Sequence, residues 1–185
     1  MKPVIKTNND PIFLQGKVLL RIQSLPDKKE IKVLEAFGGE GVLWGMVKER
    51  CPDRTIRILS MDKNLYKKVQ LQGDNLKFLK GMNLNEFDII DLDAWGCPAP
   101  QLEIVFKKQY RGVIHCTMIQ TMLGALPNIV LEANGYSKAM FRKIKSIFYK
   151  DGITKFLNYL SFNGVKKVNI ISHDRKNYLW FNLDK

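Results

Sequence analysis

The sequence predicts an α/β fold: a mostly parallel sheet covered on both faces, with a C-terminal antiparallel hairpin and one crossover helix reduced. Three observations predict it. Apolar strand-like runs alternate with helix-like segments along most of the chain, the order that builds a parallel sheet. The first of those runs passes directly into the glycine-rich turn Gly38-Gly39-Glu40-Gly41. The chain closes with two consecutive strand-like runs, Val165–Ser172 and Asn177–Leu183, joined by the turn residues His173 to Lys176.

The elements follow in order. Met1 to Pro11 is polar and lacks the apolar segment of a secretory signal. Phe13 to Ile22 reads as a short helix stopped near Pro26, so residues 1–30 are expected as a helical extension of one domain spanning 1–185. Ile31 to Phe37 is an apolar run bounded by glycines, as a buried parallel strand requires. Gly41 to Cys51 follows as a helix with Val42, Leu43, Met46 and Val47 available for packing, and Thr55 to Met61 as a second strand. Between Asp62 and Gly73 there is room only for a turn and a short strand at Lys68–Gln72. Parallel connections usually need a dozen residues or more, so a crossover helix is missing or reduced there. Phe87 to Leu92 and Gly112 to Met118 are further strands, separated by a helix from Gln101 to Lys108. Ser137–Lys150 and Ile153–Phe162 read as late helices.

Composition bounds the function. A chain of 185 residues with 45% hydrophobic and 26% charged residues can bury one core. It has no apolar run long enough to span a membrane, which leads us to expect a cytoplasmic protein with no membrane partner. Cys51, Cys97 and Cys116 have no paired metal-ligand spacing, and with only His115 and His173 a zinc site is poorly supplied. Cys51 and Cys116 read as small buried apolar side chains. Lys and Arg number 30 against 18 acids, a net charge of +12 that favours a polyanionic partner such as nucleic acid. The competing reading is a solvated basic surface. The cations thicken at Lys138, Arg142, Lys143, Lys145, Lys150 and Lys155, interleaved with Met140, Ile144, Ile147, Phe148 and Tyr149.

The chemistry-bearing residues fall at strand ends. Glu35-Ala36-Phe37-Gly38-Gly39-Glu40-Gly41 places an acid before glycines that permit a tight bend and close backbone approach to a ligand. Asp62 lies at the end of the second strand, about 20 residues further on, where a carboxylate can accept hydrogen bonds from ribose hydroxyls. Its competing role is a turn or helix-cap residue. Asp74 and Asn75 can read the amino edge of adenine, with Leu76 or Met61 as an apolar wall; alternatively Asp74 caps the helix Asn75 to Lys80. Asp93 ends the strand of Phe87-Asp88-Ile89-Ile90-Asp91-Leu92-Asp93-Ala94-Trp95-Gly96-Cys97-Pro98. A carboxylate there can hold an exocyclic amine while Trp95 stacks on the base. The alternative makes Asp93 a helix cap and Trp95 a packing aromatic.

These motifs resemble those of a known family. Glu35 to Gly41 is similar to the D-P-F-A-G-S-G loop of class I S-adenosylmethionine-dependent methyltransferases, especially nucleic-acid amino-methyltransferases. Asp91-Leu92-Asp93-Ala94-Trp95-Gly96-Cys97-Pro98 resembles the D-L-D-P-F-G-S-P motif of tRNA guanine-N2 dimethyltransferases, with Ala94 in place of the family's proline. Thr117, Leu123-Gly124 and Ile170-Ile171-Ser172 through Tyr178 resemble that family more loosely. At 185 residues we expect no counterpart of the tRNA enzymes' separate C-terminal RNA-binding domain in this sequence. The resemblance implies a Rossmann-like methyltransferase fold with S-adenosyl-L-methionine as cofactor. It implies that Glu35, Phe37, Gly39, Gly41, Asp62, Asp74 and Asn75 bind that donor, and that Asp93, with Trp95, meets an exocyclic amine of a nucleic acid, RNA in preference to DNA. Transfer would be direct and need no metal. Three rivals stand beside this expectation: Cys97 as a nucleophile on a pyrimidine, although Pro98 follows it where such enzymes place proline before the cysteine; a non-catalytic binding module; and a methyltransferase for a small molecule or protein.

Overall fold

The computed structural model describes residues 11–64, 68–119, 126–144, 146–173 and 175–183. Their elements are α1 (Pro11–Gln23), β1 (Glu30–Glu35), α2 (Val42–Arg50), β2 (Thr55–Asp62), β3 (Leu71–Gln72), α3 (Asn75–Gly81), β4 (Ile89–Leu92) and α4 (Ala99–Lys107). They continue as β5 (Gly112–Ile119), α5 (Asn128–Ala133), α6 (Lys138–Lys143), α7 (Ser146–Tyr149), α8 (Gly152–Phe162), β6 (Asn169–His173) and β7 (Lys176–Leu183). The strands form a seven-stranded sheet in the order β3-β2-β1-β4-β5-β7-β6. Neighbours from β3 to β5 pair in parallel, and β7 runs antiparallel to both β5 and β6. The order reverses between β1 and β4, so a crevice opens at the carboxyl edge there.

Strand alternation divides the core in two. Leu34, Ile90, Leu92, Ile114, Met118, Leu179 and Phe181 face α3, α4, α5 and α8. Ile31, Val33, Ile89 and Val113 face the other way, against Val18 of α1 and Trp44 and Val47 of α2. The N-terminal segment is therefore more than an extension. Val18 is fully buried, and α1 completes the second apolar layer of the sheet.

Three elements differ from the sequence expectation or bear on it closely. The strand expected at Val165–Ser172 begins only at Asn169. Gly164, with φ +86°, closes α8 instead, its N–H donating to the Ser161 carbonyl while the Val165 N–H donates to the Leu160 carbonyl at 3.1 Å. This double closure is a Schellman motif, and its apolar residue Val165 is drawn into the core. The helix expected over Ser137–Lys150 breaks at Ile144, whose backbone is extended (φ −119°, ψ 91°). The break turns Ile147 into the core while Met140 and Ile144 stay at the surface. The crossover after β2 is short, as expected: β3 pairs two residues, Leu71 with Met61 and Gln72 with Asp62. None of the described residues of that connection is helical. Leu123-Gly124 lies outside the described residues.

Candidate functional site

The crevice is assembled by backbone hydrogen bonds between strand ends. Ala36 N–H donates to the Asp91 carbonyl and Gly38 N–H to the Met61 carbonyl, each at 2.9 Å, tying the end of β1 to its two neighbours. Gly38 has no room for a side chain: a Cβ there would lie 2.8 Å from Ser60 Cβ. Gly39 (φ +51°) and Gly41 (φ +69°) take left-handed conformations, and a Cβ on Gly41 would meet no atom within 4 Å, so the far side of this loop is open. Gly39 N–H donates to Asp62 Oδ2 at 3.1 Å, and Asn64 N–H donates to Asp62 Oδ1 at 2.8 Å. Asn75 Nδ2 donates to the Ala36 carbonyl at 2.9 Å, and its Oδ1 accepts from Gln101 Nε2. Glu35, Gly39, Asp62 and Asn75 thus share one edge, as the sequence leads one to expect. Phe37 is half-buried against the α3–α4 layer. Asp74 sits at the exposed rim, and its Oδ1 caps α3 by accepting the Leu76 N–H, so its capping role is realised.

Asp93 is placed differently from a helix cap. Pro98 precedes α4, and Asp93 points to the α1 face of the sheet. There its Oδ2 pairs with Lys17 Nζ, its Oδ1 accepts the Thr117 hydroxyl, and Arg21 Nη2 lies 3.8 Å away. Burial opposes ionisation of Asp93, but these two cations and the hydroxyl outweigh it, and its carboxyl sits below the usual range. One step back, fully buried Asp91 receives Arg21 Nε at 2.8 Å, Arg21 Nη2 at 2.9 Å and Trp44 Nε1 at 2.7 Å. Strand register continues this polar row: Glu35 lies beside Asp91, and Asp91 beside His115. His115 Nε2 and the Ser24 hydroxyl are 2.6 Å apart; burial, with the Arg21 charge nearby, holds the imidazole well below its ordinary pKa, hence neutral. Glu35, only 5% exposed, is pushed up to about 8 by burial and by the Asp91 carboxylate. Trp95, two residues after Asp93 in the chain, is 75% exposed, so it is no packing aromatic. Burial pushes the Cys97 thiol up to about 12, which opposes its use as a nucleophile. No group of His, Cys, Asp and Glu side chains among the described residues could hold a metal ion.

No family profile and no curated protein matches the chain. Solved structures do. A Methanococcus maripaludis protein described as an S-adenosyl-L-methionine-dependent methyltransferase aligns with TM-score 0.50 and 14% identity, over 95% of this chain and 85% of its own. The DszA carbon methyltransferase aligns with TM-score 0.56 and 13% identity over 93% of this chain. Human N-acetylserotonin methyltransferase, solved with its donor, aligns with TM-score 0.50 and 13% identity over 94%. The chain spans 54% and 55% of the latter two proteins, about half of each. The chain has the class I methyltransferase fold.

Within this methyltransferase fold, sequence reasoning found the strand-end residues and missed their partners on α1. Lys17 and Arg21 stand one turn apart as the charged residues of an otherwise uncharged, largely apolar helix, PIFLQGKVLLRIQ. Asp91 and Asp93 interrupt an apolar strand. Buried charges of opposite sign in two apolar elements were the available signal, because neither is tolerated without the other.

Proposed function

We propose that the chain is an S-adenosyl-L-methionine-dependent methyltransferase acting on an exocyclic amine of a nucleic acid, RNA in preference to DNA. The observation that carries the donor assignment is the open glycine turn of β1 bonded through Gly39 N–H to Asp62, with buried Glu35 beneath it. These residues fit the donor: the left-handed glycines leave space for it, and Asp62 and Asn75 line that space. Glu35 lacks the counter-charge needed to ionise fully, a deficit that a cationic ligand relieves. When bound, S-adenosyl-L-methionine supplies a methyl group on a sulfonium. The chain's own residues then position the acceptor. Asp93 accepts a hydrogen bond from the amine and stabilises the positive charge that develops on it, and Trp95 offers an exposed ring for stacking.

Support for the polymer comes from charge. The net charge is +12, and α6 buries none of its residues while carrying Lys138, Arg142 and Lys143. Calorimetry with S-adenosyl-L-methionine followed by labelled-methyl transfer to mixed RNA and DNA tests the reading. Donor binding and preferential labelling of RNA are expected. Asp93→Ala should lower transfer by about 100-fold or more with donor affinity little changed; unchanged turnover in that variant removes Asp93 from the reaction.

One observation favours the second reading, a methyltransferase-fold binding module without turnover. Lys17, Arg21 and Thr117 already engage Asp93, whose lone pairs an acceptor amine needs. Donor binding with no transfer to any polymer would select it.

A further inference from the structure

We propose that Thr117 is a positioning residue for the transfer: its hydroxyl sets the rotation of the Asp93 carboxylate and so aims a lone pair at the neutral acceptor amine. The proposal rests on Asp93 as the acceptor-facing carboxylate. Asp93 lies one residue past the end of β4, and the Ala94 N–H donates to the Leu92 carbonyl at 2.7 Å, so the chain turns tightly around it. β5 runs on beyond its last pairing with β4, Leu92 opposite Cys116, and this overhang holds the turn at two points. Ile119 N–H donates to the Gly96 carbonyl at 2.7 Å, which ties down the backbone. The Thr117 hydroxyl donates to Asp93 Oδ1, which ties down the side chain.

The other groups around Asp93 are less able to set its rotation. Lys17 Nζ reaches Oδ2 from α1 on a long flexible stem. Arg21 Nη2, at 3.8 Å, is beyond hydrogen-bond range, and the guanidinium is committed to Asp91. Thr117 is 3% exposed, its short branched side chain is stiff about χ1, and its backbone pairs with Tyr178 of β7. An ionised carboxylate offers about four lone-pair positions. Thr117 takes one on Oδ1 and Lys17 one on Oδ2, so each oxygen keeps another, and 17% of the Asp93 side chain stays accessible to an incoming group. Orientation matters here, because a misplacement of about 1 Å at a reacting centre can cost about 100-fold in rate.

The test compares labelled-methyl transfer to mixed RNA, at saturating S-adenosyl-L-methionine, in Thr117→Val and Thr117→Ser. Valine keeps the shape and loses the hydroxyl, serine keeps the hydroxyl, and Thr117→Ala replaces the valine variant if that does not fold. In Thr117→Val, kcat should fall by about 10-fold or more, as expected for one lost hydrogen bond to a charged group. KM for RNA should change less than kcat, donor affinity by calorimetry should change little, and serine should recover most of the rate. Added to Asp93→Ala, Thr117→Val should lower the residual transfer no further, since no carboxylate remains to be held. Equal loss with valine and serine, a loss confined to KM, or a further loss in the Asp93→Ala background overturns the proposal. Crystal structures of the variants judge it without any transfer: Oδ1 should swing away from position 117 with valine and stay there with serine. A carboxylate that keeps its rotation beside valine also overturns it. Absence of donor binding, or of labelled RNA, in the wild type sinks the methyltransferase reading separately, because the crystal structures need neither.

Discussion

Arg21 and Asp91 are the residues on which the interior depends most. Removing one partner of a buried ion pair strands the other's charge, so Arg21→Met is expected to lower stability by roughly 3–5 kcal/mol. The double variant Arg21→Met/Asp91→Leu, with no charge left to strand, should recover much of that loss in urea melts. Glu35 sets a pH dependence. Its folded pKa, about 8, lies above its ordinary value of 4.5, so the folded state binds the extra proton between these limits. Its contribution is complete below 4.5 and is lost as pH rises through about 8. Glu35→Gln should therefore flatten the fall in stability across that window and leave the variant the more stable protein above it. The same logic couples to the donor: if the Glu35 carboxylate meets a cationic ligand, affinity for S-adenosyl-L-methionine rises toward pH 8 in the wild type and loses that slope in Glu35→Gln. At this scale the positions of Glu35, Gly39 and Asp62 were legible because they end or directly follow strands that hydrophobic patterning locates, and Asn75 opens the helix after β3. Lys17 and Arg21 were not, since their partners lie 76 and 70 positions away.

Among the elements, the strands were legible where both faces are buried. β1, β4 and β5 read as continuous apolar runs because helices cover both sides. The boundary of β6 was not, because Val165 is apolar for the sake of closing α8. The break in α6–α7 escaped as well: apolar spacing matched a helix through Ile144, but Met140 and Ile144 stay exposed while Ile147 is buried in the core. Two element-level changes follow. Asp74→Ala, which removes the cap of α3, should cost about 1 kcal/mol in a thermal melt. Reversing Lys138, Arg142 and Lys143 of α6 together to glutamate should weaken RNA binding. It should also lower the salt slope of log K by up to about 3, roughly one for each phosphate no longer neutralised. An unchanged slope would place the polyanion surface elsewhere.

For the whole molecule, the alternation of elements and the closing hairpin were enough to reach the sheet architecture, because connection rules leave few alternatives for a parallel sheet of this length. What pattern reasoning cannot supply is how the two faces differ. One is mainly apolar, while the other carries the row Glu35, Asp91, His115 beneath α1. That row has a consequence for biogenesis. Synthesis delivers α1 well before Asp91: the carboxylate that neutralises Arg21 leaves the ribosome only after β1, α2, β2, β3 and α3 have been made. Until then the nascent chain displays a helix with an apolar stripe and unneutralised cations, a form suited to chaperone capture. Translation products halted before Asp91 should therefore keep α1 open to protease, and those extended past β5 should protect it.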